Sequence, residues 1–550
     1  MAARRSAAVW RALTRPARWA ALAAGGLPIL AFPGLNLEFL GWCGLVPGML
    51  IIRAAPGARE AAVRGWWLGA GYLLAAMYWL IPNIGPALLL VAAVLGALWT
   101  GFGLAIWALL HGRPSVRAAL AALLVVPSCW LLTEWARSWQ GFGGPWAVLG
   151  TSQWQHPAVL GLASVGGVWL VTFALVAANT GIVILIVAAR LTGRLVGVAA
   201  AAAALAAGPV IFTLTAAVPP VRQVTVALVQ PGIEHVKHPK EGASQRLSDG
   251  LGARHPDLIV WGESSVGTDI QLDPALFGQI KALSARTGAQ ILLNQDATLP
   301  GHGQSKVALL IGPAGIEGSY TKTRLVPFGE YIPFRSALGW LTSISKAAPS
   351  NMLPGDGAHL IQATDRAGRP LPLGVLICFE SAFPDMSRVD ANLGAQLIVY
   401  QTSDSTFQRS WAPAQHASLG AVRAAETGRP VVQAALTGDT VAFDARGRLL
   451  ARMTASQRGV TVVRLGLPPA GTRTPYDRVG DVVPWVAAGI ALIAAARWIV
   501  RVRRSRPGQV PFEGNPPGGR SVSVVGAQPG DVPRPQPPGE DAPPPEGAAG

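Results

Sequence analysis

A glutamate, a lysine and a cysteine each stand at the edge of an apolar segment of this sequence. Glu263 follows the apolar run 258–262, Lys322 follows 319–321, and Cys378 follows the apolar run 374–377. Together they supply a base, a cation for a developing oxyanion and a thiol nucleophile, which acyl transfer through a thioester requires. A glutamate desolvated at a strand end is expected to have a pKa raised toward neutrality, as a base needs.

The three cysteines of the chain differ in their surroundings. Cys43 and Cys129 fall in long apolar runs, which favours burial as small apolar side chains. Cys378 is the single cysteine between residues 219 and 481, so no disulfide within that segment can include it. A buried, unreactive thiol is the alternative for Cys378 considered alone, and Glu263 and Lys322 favour the nucleophile.

The segment 219–481 is the part of the chain that must position these three side chains. Strands are predicted at seven β-branched or apolar runs, 223–230, 257–262, 290–294, 307–311, 373–378, 397–401 and 431–434. Helices are predicted between them, including 274–288 and 411–427. Several of the strands are continuously apolar, as expected of strands covered on both faces. The segment therefore predicts an α/β sandwich.

The rest of the sequence is far more apolar. Of the 550 residues, 51% are hydrophobic and 13% are charged, which excludes a disordered chain, a coiled coil and an ordinary soluble enzyme. Runs of about 20 apolar residues predict transmembrane helices. Eight are found, at about 17–33, 36–53, 65–82, 86–110, 117–134, 159–189, 195–218 and 482–500. The predicted domains are a multi-pass α-helical membrane domain over 1–218, the sandwich over 219–481 and a last transmembrane helix over 482–500.

Arginines lie at alternate ends of these spans. They occur in the N-terminal segment, near 53–64, 113–117 and 190–194, and at 497–506, whereas the loops near 34, 84 and 134–158 carry only Arg137. Because cytoplasmic loops are enriched in Lys and Arg, both termini are predicted to be cytoplasmic and the sandwich extracytoplasmic. Much of the net charge of +16 is then a topology signal, and no nucleic-acid partner is expected.

The segment after the last span has a composition of its own. It begins with basic residues and continues as a Pro- and Gly-rich stretch with few large apolar side chains. Such a stretch buries too little surface to offset its ordering entropy. Residues 501–550 are therefore predicted to form a basic stop followed by a disordered cytoplasmic tail.

Three short motifs connect the three reactive side chains to a known family. The segments 262–264, 322–330 and 378–380, read in that order, resemble the nitrilase (carbon–nitrogen hydrolase) superfamily, which uses a Glu-Lys-Cys triad. The sandwich placed before the last of eight spans resembles the bacterial apolipoprotein N-acyltransferases. Further matches to that family lie at 133–137, 144–153 and 415–430.

The resemblance implies an αββα sandwich in a bacterial cytoplasmic membrane protein and a role for each motif residue. Cys378 would take an acyl chain from a phospholipid as a thioester, and Glu263 would act as the base. Lys322 and the backbone N–H of Phe379 would stabilise the oxyanion, supported by the carboxylates of Glu330 and Glu380. The acceptor would be the amine of the diacylglyceryl-cysteine of an apolipoprotein. No metal or organic cofactor is implied.

Aromatic residues mark a candidate substrate entrance. The loop after the fifth span contains Trp146 among several aromatic residues, and either anchoring at the bilayer surface or a lipid entrance would explain them. The segment 331–355 contains Phe334 and Trp340 between turn residues. It predicts either a short amphipathic helix packed on the sandwich or an arm that lies on the bilayer.

The sequence also departs from the family at two places, which puts substrate contacts in question. No tryptophan occurs between Gln230 and Trp261, where the family usually has one, and 403–407 lacks the usual asparagine and tryptophan. Two alternatives to N-acylation stay open. One is a membrane-tethered amidase with the same triad, and the other is a non-catalytic membrane scaffold on the same fold.

Overall fold

Helices form the first part of the chain. The computed structural model describes residues 16–232, 240–299, 303–343, 348, 350–407 and 409–504, so most of the predicted tail lies outside the described residues. The helices before the first strand are α1 (Pro16–Gly26), α2 (Leu40–Cys43), α3 (Val46–Arg53), α4 (Ala58–Ala76), α5 (Ile81–Ile84), α6 (Ala87–Gly96), α7 (Thr100–Leu110), α8 (Val116–Arg137), α9 (Pro157–Leu160), α10 (Ala163–Val187) and α11 (Leu191–Leu214).

Not all eight predicted spans are long apolar helices. Among the residues that the structure describes, five helices could cross a membrane by length and composition: Ala87–Leu110, Val116–Arg137, Ala163–Val187, Leu191–Leu214 and Val482–Val500. The predicted spans at 17–33 and 36–53 form shorter helices, with Pro28 in a 3₁₀ turn after α1 and Pro47 after the break between α2 and α3. Most of the span predicted at 65–82 lies in α4, which begins at Ala58 in a charged first turn and ends at Ala76, and the rest lies in a 3₁₀ turn and the start of α5.

Two six-stranded sheets follow, with the orders β12-β1-β2-β3-β4-β5 and β11-β10-β9-β8-β7-β6. In each sheet three strands in the middle run parallel and the outer strands run antiparallel. The strands are β1 (Arg222–Gln230), β2 (Leu258–Trp261), β3 (Gln290–Leu299), β4 (Gly303–Ile311), β5 (Ile316–Thr321), β6 (Ile361–Thr364), β7 (Pro370–Ile377), β8 (Leu397–Thr402), β9 (Val431–Ala435), β10 (Thr440–Phe443), β11 (Leu449–Met453) and β12 (Gly459–Leu467).

Helices cover the outer faces of both sheets. The remaining helices are α12 (Lys240–Asp249), α13 (Pro274–Thr287), α14 (Arg335–Leu338), α15 (Pro384–Leu393), α16 (Ala412–Thr427), α17 (Pro475–Val479) and α18 (Val482–Arg504). Alternate residues of β2 face opposite ways: Ile259 and Trp261 belong to a core with Ile280 of α13, and Val260 belongs to the core between the sheets with Val375. The predicted αββα sandwich is confirmed.

The sandwich packs directly on the helical bundle, and residues up to Arg497 form one compact unit. Helix α10 is kinked at Gly166 and Gly167, and the φ of +68° at Gly167 is a left-handed conformation that suits glycine. The kink leaves the backbone N–H of Val168 without a helical partner, and it donates to Glu426 Oε1 of α16 at 2.7 Å. The ring of Tyr476 from α17 lies against Gly167.

Candidate active site

The ends of β2, β5 and β7 bring the three predicted reactive side chains together. Glu263 follows β2, Lys322 follows β5 and Cys378 follows β7. The backbone N–H of Glu263 donates to Thr402 O at 3.1 Å, which joins the end of β2 in one sheet to the end of β8 in the other. The Cys378 thiol lies beside the Glu263 carboxylate and interacts with it. Residues far apart in sequence thus form one cluster between the sheets.

Lys322 lies between two carboxylates. Its Nζ is 2.7 Å from Glu330 Oε1 and 3.4 Å from Glu263 Oε1, and its side chain is 0% exposed. The other oxygen of Glu330 accepts from the backbone N–H of Val326 at 2.8 Å. A buried ammonium group needs such partners, because desolvation without them is costly. Glu330 therefore holds Lys322 beside Glu263.

The pKa of Glu263 differs from the expectation, because other charged groups of the cluster lie close to it. Burial alone would raise the pKa of Glu263, but the ammonium groups of Lys322 and Lys306 hold it below its ordinary value. The predicted rise toward neutrality is therefore wrong, because two cations outweigh the desolvation. Burial and the Glu263 carboxylate raise the pKa of Cys378 well above its ordinary value. Burial lowers the pKa of Lys322, and Glu330 and Glu263 more than reverse that effect.

These directions define the resting protonation state as a carboxylate, an ammonium group and a neutral thiol. The thiol that must lose a proton lies beside the carboxylate that would accept it. The arrangement can therefore generate a thiolate at the moment of attack.

Cys378 occupies a strained turn. Its φ is +53°, a conformation that costs a non-glycine residue about 1–3 kcal/mol, and it begins a short 3₁₀ helix, Cys378–Ala382. The carbonyl oxygen of Cys378 accepts from Ser381 Oγ at 2.8 Å and lies 3.1 Å from Nε2 of His416. The N–H of Phe379 lies in the first turn of that helix, where backbone N–H groups lack helical partners.

Glu380 anchors this turn. Its Oε2 accepts from the backbone N–H of Ile377 at 2.8 Å. Its Oε1 accepts from the Tyr320 hydroxyl at 2.9 Å and from the backbone N–H groups of Thr323 and Arg324 at 2.7 and 3.0 Å. Burial raises the pKa of Glu380 despite these donors. The carboxylate thus ties the turn at Cys378 to the segment that follows Lys322.

Two further residues belong to the site: Lys306, which no sequence motif indicates, and His416, which lies in the family match at 415–430. Lys306 of β4 lies with its Nζ 3.6 Å from Glu263 Oε1 and 2.9 Å from Asp296 Oδ1. His416 contacts Asp404 Oδ1 through Nδ1 at 3.0 Å. The pairing of β4 with β5, in which Val307 opposes Thr321, also sets Lys306 opposite Lys322. An alternating pattern read over both strands of this hairpin would have indicated the second lysine.

The candidate entrance residues lie in two different settings. Trp146 is buried, its Nε1 donates to Gln415 Oε1 at 3.0 Å, and its ring lies 5.6 Å from that of His416. Gly144 packs against the ring of Phe379. The side chains of Phe334 and Trp340 are 81% and 59% exposed. Part of the segment 331–355, including Ile344, lies outside the described residues, and the entrance role of all three aromatic residues stays a prediction.

One of the two departures from the family, at 403–407, lies within the described residues. Phe407 packs against Trp79 of the bundle, with 4.7 Å between ring centroids, and Asp404 pairs with His416. Residues 233–239, where the family tryptophan is expected, lie outside the described residues. Within the described ranges, no group of three or more His, Cys, Asp or Glu side chains is arranged to hold a metal ion.

Both halves of the chain match known family models. Residues 305–471, which include Lys322 and Cys378, match the model described as carbon-nitrogen hydrolase, and residues 24–181 match the model described as apolipoprotein N-acyltransferase N-terminal domain. The fold and the C-terminal match define a domain of the carbon–nitrogen hydrolase type, joined to a helical domain that contains long apolar helices.

Curated relatives extend the match to most of the chain. An apolipoprotein N-acyltransferase of Pseudomonas syringae is 31% identical over 84% of this chain and 92% of its own length. One of Azotobacter vinelandii is 30% identical over 89% and 96%, and one of Chlorobaculum tepidum is 28% identical over 87% and 95%. The chain belongs to the apolipoprotein N-acyltransferase family and is a multi-pass membrane enzyme that N-acylates lipoproteins.

Solved structures match about half of the chain. An amidase from Nesterenkonia is 19% identical, with a TM-score of 0.34, and the match covers 48% of this chain and 96% of that chain. A mutant of an amidase of the nitrilase superfamily from Nesterenkonia gives a TM-score of 0.35 at 19% identity, over 48% and 98% of the two chains.

Proposed function

We propose that Cys378 carries the acyl chain as a thioester between a phospholipid and the α-amine of an apolipoprotein's diacylglyceryl-cysteine. The observation that carries this proposal is the buried cluster in which Lys322 contacts the Glu263 carboxylate and the thiol of Cys378 lies beside it. A base, a nucleophile and a cation in contact are the parts that acyl transfer needs.

The first half of the reaction loads the enzyme. The sulfur of Cys378 attacks the ester carbonyl of the phospholipid, and the thiol proton passes to Glu263. Lys322 and the N–H of Phe379 stabilise the oxyanion of the tetrahedral intermediate. The ester C–O bond then breaks, and Glu263 returns the proton to the leaving oxygen. The products are a lysophospholipid and the thioester on Cys378.

The second half transfers the chain to the amine. The neutral α-amine attacks the thioester carbonyl and gives a proton to Glu263. The C–S bond breaks, the amide forms, and the proton returns to the sulfur of Cys378. Donor and acceptor use one site in turn, so ping-pong kinetics are expected.

The proposed placement in the bacterial cytoplasmic membrane follows the arginine pattern. Both termini are cytoplasmic, the membrane domain spans 1–218, and the sandwich, 219–481, lies outside the cytoplasm before the last transmembrane helix. Trp146 and Gly144 belong to the loop after the fifth predicted span, and they contact Gln415 of α16 and Phe379 of the sandwich. These contacts support a sandwich that lies on the same side of the membrane as that loop. Donor and acceptor both reside in the bilayer, so the site lies close to its substrates.

The test is a reconstituted assay of the purified full-length protein. It is incubated with phospholipid and a synthetic diacylated lipopeptide, and the triacylated product is measured by mass. We expect product with the native protein and a loss beyond detection with Cys378→Ala. Undiminished product with Cys378→Ala would overturn the mechanism.

A second measurement separates transfer from hydrolysis. With phospholipid but no lipopeptide, the Cys378 peptide should gain the mass of one acyl chain. The thioester should then decay when the lipopeptide is added. Rapid release of free fatty acid in place of the triacylated product would support the amidase alternative. Cys43→Ala, which changes a thiol in the helical bundle, is the matched control.

A further inference from the structure

A basic cavity lies on the molecule apart from the Cys378 cluster. It has a volume of about 410 Å³ and is lined by the end of α11 on one side and by the loops after β10 and before α17 on the other. A volume of this size is within the range of ligand sites in proteins. None of the residues that hold Cys378, Glu263 or Lys322 lines it.

The charge of the described lining residues is positive. Arg446, Arg448 and Arg473 all line the cavity, together with a single carboxylate, that of Asp444. Oδ1 of Asp444 already accepts from the backbone N–H groups of Arg446 and Arg448, each at 2.9 Å. The cavity therefore favours an anion.

Arg446 is held in place by the end of the membrane helix. Its guanidinium carbon lies 3.4 Å from the centroid of the Phe212 ring, and its Nη2 donates to the carbonyl oxygens of Phe212 and Thr215. Arg448 is exposed and lies farther along the same ring, at 5.9 Å. A planar guanidinium fixed in this way is well suited to a phosphate group, because its N–H groups match the phosphate oxygens.

The surface next to the cavity is apolar. Helix α11 is one of the helices that could cross a membrane, and 17% of its most apolar stretch is buried. Exposed side chains in the half of α11 that ends at the cavity include Leu205, Val210 and Leu214, at 48%, 49% and 79%. An acyl chain could lie along this face while its headgroup occupies the cavity, the pairing that characterises basic lipid sites between membrane helices.

Topology does not explain these arginines. The basic residues that fix the orientation of α11 are Arg190 and Arg194, before and within its first turns. Arg446 and Arg448 lie at the opposite end of the helix, where the positive-inside rule favours no positive charge. Arg446 binds the end of α11, and the orientation of that helix accounts for neither Arg446 nor Arg448.

We infer that this cavity binds the headgroup of a phospholipid with net negative charge, with its acyl chains along α11. The cavity is distinct from the site at Cys378. The bound lipid is therefore a ligand of the protein and not the acyl donor of the reaction. Its phosphate would sit between Arg446 and the exposed Arg448 and Arg473.

The test measures the binding of phosphatidylglycerol and of phosphatidylcholine to the full-length protein by native mass spectrometry. The variant Arg448→Gln with Arg473→Gln removes two exposed charges and leaves Arg446 in its contacts with α11. We expect its affinity for phosphatidylglycerol to fall at least about tenfold and its affinity for phosphatidylcholine to stay the same.

The matched control is Arg254→Gln with Lys281→Gln, which removes two charges from the part of the sandwich built on the other sheet. Its affinity for both lipids should equal that of the native protein. Equal affinity of the native protein for the two lipids would overturn the inference, and so would unchanged phosphatidylglycerol binding by the cavity variant. Full displacement of the lipid by millimolar inorganic phosphate would also overturn it, since a free anion would then be the ligand.

An independent observation concerns Lys306. Its Nζ contacts Asp296 Oδ1 at 2.9 Å and Ser264 Oγ at 2.5 Å, and it lies 3.6 Å from the Glu263 oxygen that Lys322 also contacts. Ser264 Oγ in turn donates to Asp296 at 2.8 Å. The side chain of Lys306 is 12% exposed, so its charge acts in a largely desolvated setting.

We propose that Lys306 is a positioning residue that keeps Glu263 ionised and oriented toward Cys378 in the resting enzyme. The proposal rests on the role of Glu263 as the base. The charged and titratable groups facing Glu263 are Lys322, Lys306, Cys378 and His416, with Glu330 and Asp296 behind the two lysines and Asp404 behind His416. Removing one of the two cations should make Glu263 easier to protonate.

The measurement is the pH profile of kcat/KM for lipopeptide acylation. In Lys306→Met, the acid limb should move upward by about one pH unit or more, and Lys306→Arg should restore it. Lys281→Met on α13 is the control and should leave the limb in place. A uniform fall in rate at every pH, with the limb unmoved, would overturn the proposal and show a merely structural role. An inactive native protein, by contrast, would refute the proposed function itself.

Discussion

Two buried glutamates flank Cys378 and are held in opposite ways. Glu263 contacts two ammonium groups and the thiol, all of them groups that can exchange or share a proton. Glu380 accepts mainly from backbone N–H groups of Ile377, Thr323 and Arg324, which cannot, and from the hydroxyl of Tyr320, whose pKa burial raises well above its ordinary value. Residue type and burial are the same, so the donors distinguish a proton carrier from a positioning group.

The largest effect is expected for Glu263→Gln. An amide keeps the size of the side chain but cannot take the thiol proton, and loss of a general base lowers rates by about 10²–10⁴-fold. The triacylated lipopeptide formed per minute measures this loss. Thermal unfolding in detergent should show that the variant is folded. A rate within threefold of the native rate would remove Glu263 from the role of base.

Glu380→Gln should have a smaller effect on rate and a clear effect on stability. An amide offers one acceptor oxygen, so the donors on one of the two sides of Glu380 lose their partner. An unsatisfied buried donor costs about 1–3 kcal/mol. We expect a lower Tm than for Glu263→Gln and more residual acyl transfer. The reverse order of the two variants, in both measurements, would contradict the division of roles.

The pH dependence of stability should separate the same two carboxylates by sign. The pKa of Glu263 lies below its ordinary value, so its ionised form contributes stability above about pH 4.3 that is lost as the pH falls through the folded pKa. The pKa of Glu380 is raised by burial, so its contribution is largest below about pH 4.3 and declines as the pH rises through the folded pKa.

Thermal unfolding of the native protein and both variants between pH 4.5 and 7.5 checks this sign difference. The Tm advantage of the native protein over Glu380→Gln should shrink as the pH rises. The Tm difference between the native protein and Glu263→Gln should stay constant over that range, because Glu263 is ionised throughout. Parallel pH curves for all three proteins would show that the two carboxylates are not distinguished in this way.

The smallest effect is expected where the positioning contacts reach the bundle. Trp146→Phe removes the Nε1 bond to Gln415, the neighbour of His416, and a hydrogen bond of this kind is worth about 1 kcal/mol. We expect a loss of a few-fold in acyl transfer. Trp139→Phe is the matched control, because that side chain is 65% exposed. Equal rates for the two variants would confine positioning to the sandwich.

Continuous apolar runs made much of the sandwich predictable. The seven predicted strands correspond to β1–β4 and β7–β9, which are largely buried. The strands β5, β6, β10, β11 and β12 lie toward the edges of the sheets, and most of these are short or half exposed, so their sequences lack that signal. Edge strands depend on their neighbours more than on their own hydrophobicity.

The candidate site was predictable in its motif residues and not in its electrostatics. Glu263, Lys322 and Cys378 are found together because each ends a strand. Lys306 reaches the same carboxylate through the register of the β4–β5 hairpin, and β5 carries no continuous apolar run. An expectation based on burial alone leaves this second cation out. It therefore predicts a raised pKa for Glu263, whereas the pKa is lowered.

The bond from Val168 to Glu426 has a consequence for how the protein is made. The donor and the acceptor are 258 residues apart, so the second half of α10 begins with an unsatisfied N–H until the chain has been synthesised as far as α16. During that interval, the break at Gly166 and Gly167 lacks its acceptor. Insertion of α10 and folding of the sandwich are thus successive steps of one assembly process, and the helix is completed from outside the bundle.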